Sequence, residues 1–192
     1  MGGAVRGAHT TDEGPEVKFL RTPISGAFVV ELERVEDQRG FFARSWCSEE
    51  FAKMGLSSKL AQCSISFSAR RGTVRGMHYQ AEPHEEAKLV RCTSGVIHDV
   101  IVDIRPRSVS HRQIFAIDLS AQNRRMLYVP EGVAHGFQTL EDDTEVFYLI
   151  SEFYHPELAR GFRWNDHTFR IQWPMEPTTM SARDRAFPDF AP

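Results

Sequence analysis

The run Arg75-Gly76-Met77-His78-Tyr79-Gln80 and the run Lys88-Leu89-Val90-Arg91 that follows it hold two side chains suited to opposite halves of one task. A neutral imidazole takes a proton near pH 7, and a fixed ammonium stabilises the oxygen that turns negative when a carbanion delocalises into a carbonyl. Together, His78 and Lys88 point to proton abstraction beside a ketone. Taken alone, a histidine in a strand is more often a hydrogen-bonded packing residue, so its neighbours decide the matter.

The elements that must position these groups are mostly short β-type runs broken by turn residues. They read AFVVELERV, FFARSW, QCSISFS, TVRGMHYQ, KLVRCTSG, VIHDVIVDIR, RQIFAIDLS, RRMLYVP, HGFQTL and EVFYLIS. This is the pattern of an all-β chain, a sandwich or barrel. In QCSISFS the apolar Cys63, Ile65 and Phe67 alternate with Gln62, Ser64 and Ser66, so one face carries small polar groups fit to line a ligand cavity. A jelly-roll barrel keeps such a cavity when its inward residues are polar. Helical content is small. Ser48 to Met54 has a cap-type serine, Glu49 and Glu50 in its first turn and Gly55 beyond its end, and another helical turn can begin at Ser181, with Asp184 close behind.

The 192 residues suit one domain with a core large enough to stand without disulfides. Residues 1–16 lack periodicity and read as a flexible tail, which leaves residues 17–192 as one folded unit. With 23 basic and 26 acidic residues well mixed, the net charge of -3 offers no basic stripe for a nucleic acid. No apolar run approaches the ~20 residues of a membrane helix. Cys47, Cys63 and Cys92 match no paired metal spacing, and the first sixteen residues lack the apolar core of a signal peptide, so a reducing cytoplasm is the expected compartment.

Pro130-Glu131-Gly132-Val133-Ala134-His135-Gly136-Phe137 resembles the second motif of the cupin superfamily, whose histidine is a ligand in the metal-binding members. A facial metal site needs three or so donors. The chain has no His-x-His, and Pro83 separates His78 from His84, so no catalytic metal is expected. More motifs fall into register around this one. Asp37-Gln38-Arg39-Gly40-Phe41-Phe42, Arg75 to Gln80, Lys88-Leu89-Val90, Asp99 to Arg105, Pro130 to Phe137 and Trp164-Asn165-Asp166 occur in the order and spacing of the dTDP-4-dehydrorhamnose 3,5-epimerases, which the chain resembles over nearly its whole length.

That resemblance implies a double-stranded β-helix jelly roll, a cupin-like barrel with a few short helices. It implies epimerisation at C3, C5 or both of a nucleotide-linked 4-keto-6-deoxy sugar. By the same likeness His78 is the base, and Asp184, in Ser181-Ala182-Arg183-Asp184, orients it. Lys88 stabilises the enolate oxygen at C4, and Tyr148 returns a proton to the opposite ring face. Arg39 and Arg75 are implied as diphosphate ligands, with Gln62, Tyr154 and His135 lining the substrate site. The substrate's own ketone acidifies the carbon, so no cofactor is expected; Gly-rich Rossmann and P-loop patterns do not occur. Asp99 and Asp103 share a strand face, and either could hold Lys88 in its charged state or form a structural ion pair.

The family is dimeric, often with N-terminal strands added to the partner's sheet, and the apolar run from Ala27 to Leu32 is compatible with a homodimer. Three positions depart from the pattern. Arg44 stands where glutamate is common, Ser64 where an amide is usual, and Glu85-Glu86-Ala87 where Gln-Gly is frequent. These affect binding positions more than the proposed catalytic groups. A C3-only epimerase and a non-catalytic sugar-binding barrel are the alternative readings.

Overall fold

The computed structural model describes residues 14–191, so most of the tail expected over residues 1–16 lies outside the described residues. In chain order the elements are β1 (Val17–Arg21), β2 (Phe28–Leu32), β3 (Val35–Asp37), β4 (Gly40–Phe42), α1 (Ser48–Lys53), β5 (Gln62–Ser68), β6 (Val74–Gln80), β7 (Lys88–Ser94) and β8 (Val96–Asp103). They continue with β9 (Ile114–Ser120), β10 (Met126–Val129), β11 (Val133–Thr139), β12 (Thr144–Ile150), β13 (Ala159–Gly161) and α2 (Ala182–Ala186). Among the described residues no helix is long and apolar enough to cross a membrane.

The strands form two antiparallel sheets of the cupin-like jelly roll and one small hairpin. The first sheet has the order β1-β2-β10-β7-β12-β5, the second β13-β6-β11-β8-β9, and β3 pairs only with β4. Strand alternation sends every second residue between the two sheets. Val29, Val90, Leu127 and Val146 from one sheet meet Ile97, Ile101, Leu119 and Phe137 from the other, all buried in one apolar cluster. Burying a side chain of this size contributes about 1.5–3 kcal/mol, so this layer is what holds the sheets face to face. The outer face of the first sheet is covered in part by α1, whose Phe51 packs on Phe19 and Tyr128. The outer face of the second is covered by the C-terminal segment through Phe162, Phe169 and Phe190.

Two details differ from the sequence reading. Helix α1 is capped by Cys47, without a side-chain hydrogen bond, because Ser48 is already its first helical residue. The run Ala27 to Leu32 is not an available edge, since β2 is paired with β1 on one side and β10 on the other. The edges of that sheet are β1 and β5. On β5 the apolar face points outward, leaving Ile65 63% and Phe67 54% exposed, while Gln62, Ser64 and Ser66 turn inward to line a cavity.

Candidate active site

Where the two sheets open at one end, the apolar layer gives way to a cavity of about 750 Å³ whose walls come from β5, β6, β7, β11, β12 and the stretch leading into α2. The volume is that of an ordinary small-molecule site. Gln62, Arg75, His78, Lys88, His135, Tyr148, Tyr154 and Asp184 all reach its lining.

His78 sits on β6, held against β11 by a close backbone approach. A Cβ on Gly76 would lie 2.6 Å from the Gly136 Cα, and Gly76 has φ +136, so both the space and the backbone demand glycine there. A register shift falls between His135 and Phe137, and His135 stands directly across from His78. The His78 Nε2 lies 2.8 Å from Asp184 Oδ1, and the imidazole remains 39% exposed toward the cavity while the carboxylate is 7% exposed. Helix α2 supplies that carboxylate: the Ser181 Oγ accepts from the Asp184 N–H at 3.0 Å, as the predicted cap requires. Burial alone would raise the Asp184 carboxyl, but the His78 hydrogen bond and charge, with the Gly76 N–H and Ser181, hold it below the usual range. The far ring nitrogen of His78 is thus left free to accept a proton, and the buried carboxylate stabilises the imidazolium that results.

The opposite wall belongs to the other sheet. Lys88 and Tyr148 lie on neighbouring strands, with Lys88 across from Ile150 and Tyr148 across from Ser64. The Tyr148 phenol is pushed well above its ordinary range by burial, against the hydrogen bond with Ser66 Oγ at 3.2 Å. It is therefore neutral and carries its proton. Lys88 pairs with Glu86 at 2.8 Å, both side chains 13% exposed. An imidazole stands on one wall, and a phenol with an ammonium stands on the other.

The sequence reading offered Asp99 or Asp103 as the partner of Lys88, and neither is. Asp99 belongs to the opposite sheet and binds His135 Nε2 at 2.7 Å, both side chains buried. Asp103 accepts from Arg105 and from the hydroxyls of Ser108 and Ser110. Burial would raise its carboxyl, but those donors take it down to about 2. Glu86 is the residue the reading missed. It lies two residues before Lys88, just ahead of β7, and its carboxylate reaches the Lys88 ammonium.

Arg39 is not brought to the cavity within a single chain. It lies on the turn of the β3–β4 hairpin, its side chain 90% exposed and bound to Asp37, outside the cavity lining. The hairpin projects because neither strand joins a larger sheet. Arg75 does reach the cavity, with Nη2 donating to the Phe67 carbonyl at 2.8 Å and Nε to Ser68 Oγ at 3.2 Å. Arg44 is tied to Glu50 of α1 at 2.7 Å, away from the cavity. Tyr154 borders the open end, its N–H donating to Gln62 Oε1 at 3.0 Å.

Residues 21–192 match the family model described as dTDP-4-dehydrorhamnose 3,5-epimerase. The enzyme of that name from Shigella flexneri is 38% identical over 169 residues, covering 88% of this chain and 93% of the relative. The crystal structure of the Bacillus anthracis dTDP-4-dehydrorhamnose 3,5-epimerase, with TDP and pyrophosphate bound, superposes with a TM-score of 0.87 at 37% identity, covering 91% of this chain and 100% of that one. The dTDP-6-deoxy-D-glucose-3,5-epimerase of Legionella pneumophila, in complex with dTDP-4-keto-L-rhamnose, gives a TM-score of 0.81 at 32% identity, covering 88% of this chain and 90% of that one.

Proposed function

Because the chain belongs to the dTDP-4-dehydrorhamnose 3,5-epimerase family, it is an isomerase of nucleotide-linked 4-keto-6-deoxy sugars, and we propose that His78, Asp184, Lys88 and Tyr148 carry its chemistry. C3 and C5 both flank the C4 ketone, so one cation at the C4 oxygen serves proton removal at either carbon. His78 takes the proton from one ring face. The electron pair moves into the C4 carbonyl, and the enolate oxygen is met by the Lys88 ammonium, which Glu86 holds in position. Tyr148 then delivers a proton to the opposite face. Inversion needs a base and an acid on two sides of one ring, and the observation that carries this reading is their position on opposing walls of the same cavity. Arg75, Gln62, Tyr154 and His135 bind the nucleotide sugar. The reaction is redox-neutral and needs no cofactor. A cytoplasmic location is supported by Cys47, Cys63 and Cys92 all being free thiols.

The direct test is NMR of dTDP-4-keto-6-deoxyglucose incubated with the protein in heavy water. Deuterium should enter at C3 and C5 as the L-rhamno product forms; a folded protein that leaves both positions protonated would overturn the reading.

The working unit is proposed to be a homodimer. Its support is the outward apolar face of β5 on a free sheet edge, together with Phe42, 69% exposed on the projecting hairpin. Bare edges and apolar patches of this kind are normally covered. In such a dimer the hairpin of one copy is free to approach the cavity of the other, which is how Arg39 would serve as a phosphate ligand. Light scattering after size exclusion should give twice the 21.9 kDa chain mass, and Ile65→Glu with Phe67→Glu should reduce it to one chain. A wild-type monomer at micromolar concentration would refute the dimer.

A further inference from the structure

At the rim beyond Tyr154, outside the catalytic cavity, three side chains of metal-ligand type converge. His84, Glu152 and His155, all partly buried, each offer one donor atom, and the three atoms lie within 4.8 Å of one another. The His84 and His155 rings stack with centroids 4.0 Å apart and planes 14° from parallel. One buried side chain pins the backbone that presents them. The Gln80 amide donates to the carbonyls of His84 and Phe153 and accepts from the His155 N–H at 2.8 Å.

The donors are also oriented. His155 Nδ1 faces Glu157 Oε1 at 3.2 Å, which favours a proton on Nδ1 and leaves the lone pair on Nε2. A carboxylate behind a histidine in this way is the usual outer support of a metal-bound imidazole. Glu152 is paired with Lys59 at 2.8 Å, so a single ammonium occupies its charge. We propose that His84, Glu152 and His155 form a binding site for a zinc-class dication, with water completing the shell and Lys59 as the group it displaces.

Two imidazoles and one carboxylate suit zinc, cobalt(II) or nickel, whereas magnesium and calcium prefer all-oxygen shells. A tetrahedral ion bound at about 2.1 Å sets donor atoms roughly 3.4 Å apart. The donors, within 4.8 Å of one another, therefore need to close by at most about 1.4 Å, and the stacked rings must turn out of parallel so that both lone pairs meet one ion; side-chain rotation at a partly exposed site supplies both.

The test is titration of the chelator-treated full chain with cobalt(II), read by visible absorption, and with zinc chloride, read by calorimetry. One equivalent should bind, with magnesium chloride giving no heat. His84→Gln and His155→Gln should each weaken binding by about 100-fold or more, and Glu157→Gln by about tenfold through loss of orientation. Lys59→Ala lies on the surface, leaves all three donors in place and should tighten binding by freeing Glu152. The proposal fails if zinc does not bind at 100-fold excess over protein, or if the two histidine variants bind it as the wild type does. It fails equally if Lys59→Ala, folded by its circular dichroism melt, leaves the affinity unchanged, because the metal would then sit elsewhere, for example on the exposed Cys63.

Discussion

His78→Asn is expected to lose solvent deuterium exchange into the 4-keto sugar by about 10³-fold or more, while its thermal melt stays within a few degrees of wild type. A positioned general base contributes about 10²–10⁴-fold. The nearby alternative, His135, does not stand in for it, because its Nε2 is bound to Asp99 and its side chain is 6% exposed. His78 is open to the cavity, and the asparagine amide can still donate to the buried Asp184 carboxylate, which also keeps the Gly76 N–H, so activity and stability should separate. Asp184→Asn should lose exchange by about 10²–10⁴-fold, since an amide no longer enforces one tautomer or stabilises the imidazolium. Its Ser181 cap involves the backbone N–H and survives the change. Exchange in His78→Asn at the wild-type rate would move the base to another residue.

The dyad and the strands that carry it were legible in the sequence for different reasons. The alternation in β5 and the apolar runs of β7, β8 and β12 follow from local chemistry, which the sheets then realise. The pairing of His78 with Asp184, 106 positions away, came only from motif resemblance, since no periodicity links a strand to a C-terminal turn. Asp99 and Asp103 have suitable charge and share a face, but β8 lies in the sheet opposite β7, so they form structural pairs with His135 and Arg105, the second of the two readings left open, and not with Lys88. Strand order is a long-range property, and a sequence of alternating residues does not state it. Glu86 needed no such information: it stands two residues before Lys88, but its departure from the family pattern marks it for substrate binding instead. Arg39 shows the reverse limit. Its motif marks it for function, while the β3–β4 hairpin leaves it exposed on the surface of a single chain, bound to Asp37.

Tyr148→Phe should separate the two half-reactions. Removing the hydroxyl keeps the ring, which packs edge-on to His135 with centroids 6.3 Å apart, and leaves only the Ser66 hydroxyl to find a new partner. His78 still removes the substrate proton, exchanges it with solvent and can return it to the same face. Recovered substrate should thus carry deuterium at close to the wild-type rate, whereas the inverted product should form about 10²–10⁴-fold more slowly. The surroundings of this phenol suit the proposed donor role. Burial keeps it protonated, so the proton is present when the enolate forms. The phenolate left after transfer is held by the Ser66 hydrogen bond and the Arg75 charge, both of which favour the ionised form against burial and the Asp99 charge. NMR that follows isotope and configuration in one sample distinguishes the roles. If Tyr148→Phe inverts the sugar at the wild-type rate, the opposite face is protonated by water or another group. If it loses exchange and inversion together, Tyr148 acts in substrate positioning as well as proton delivery.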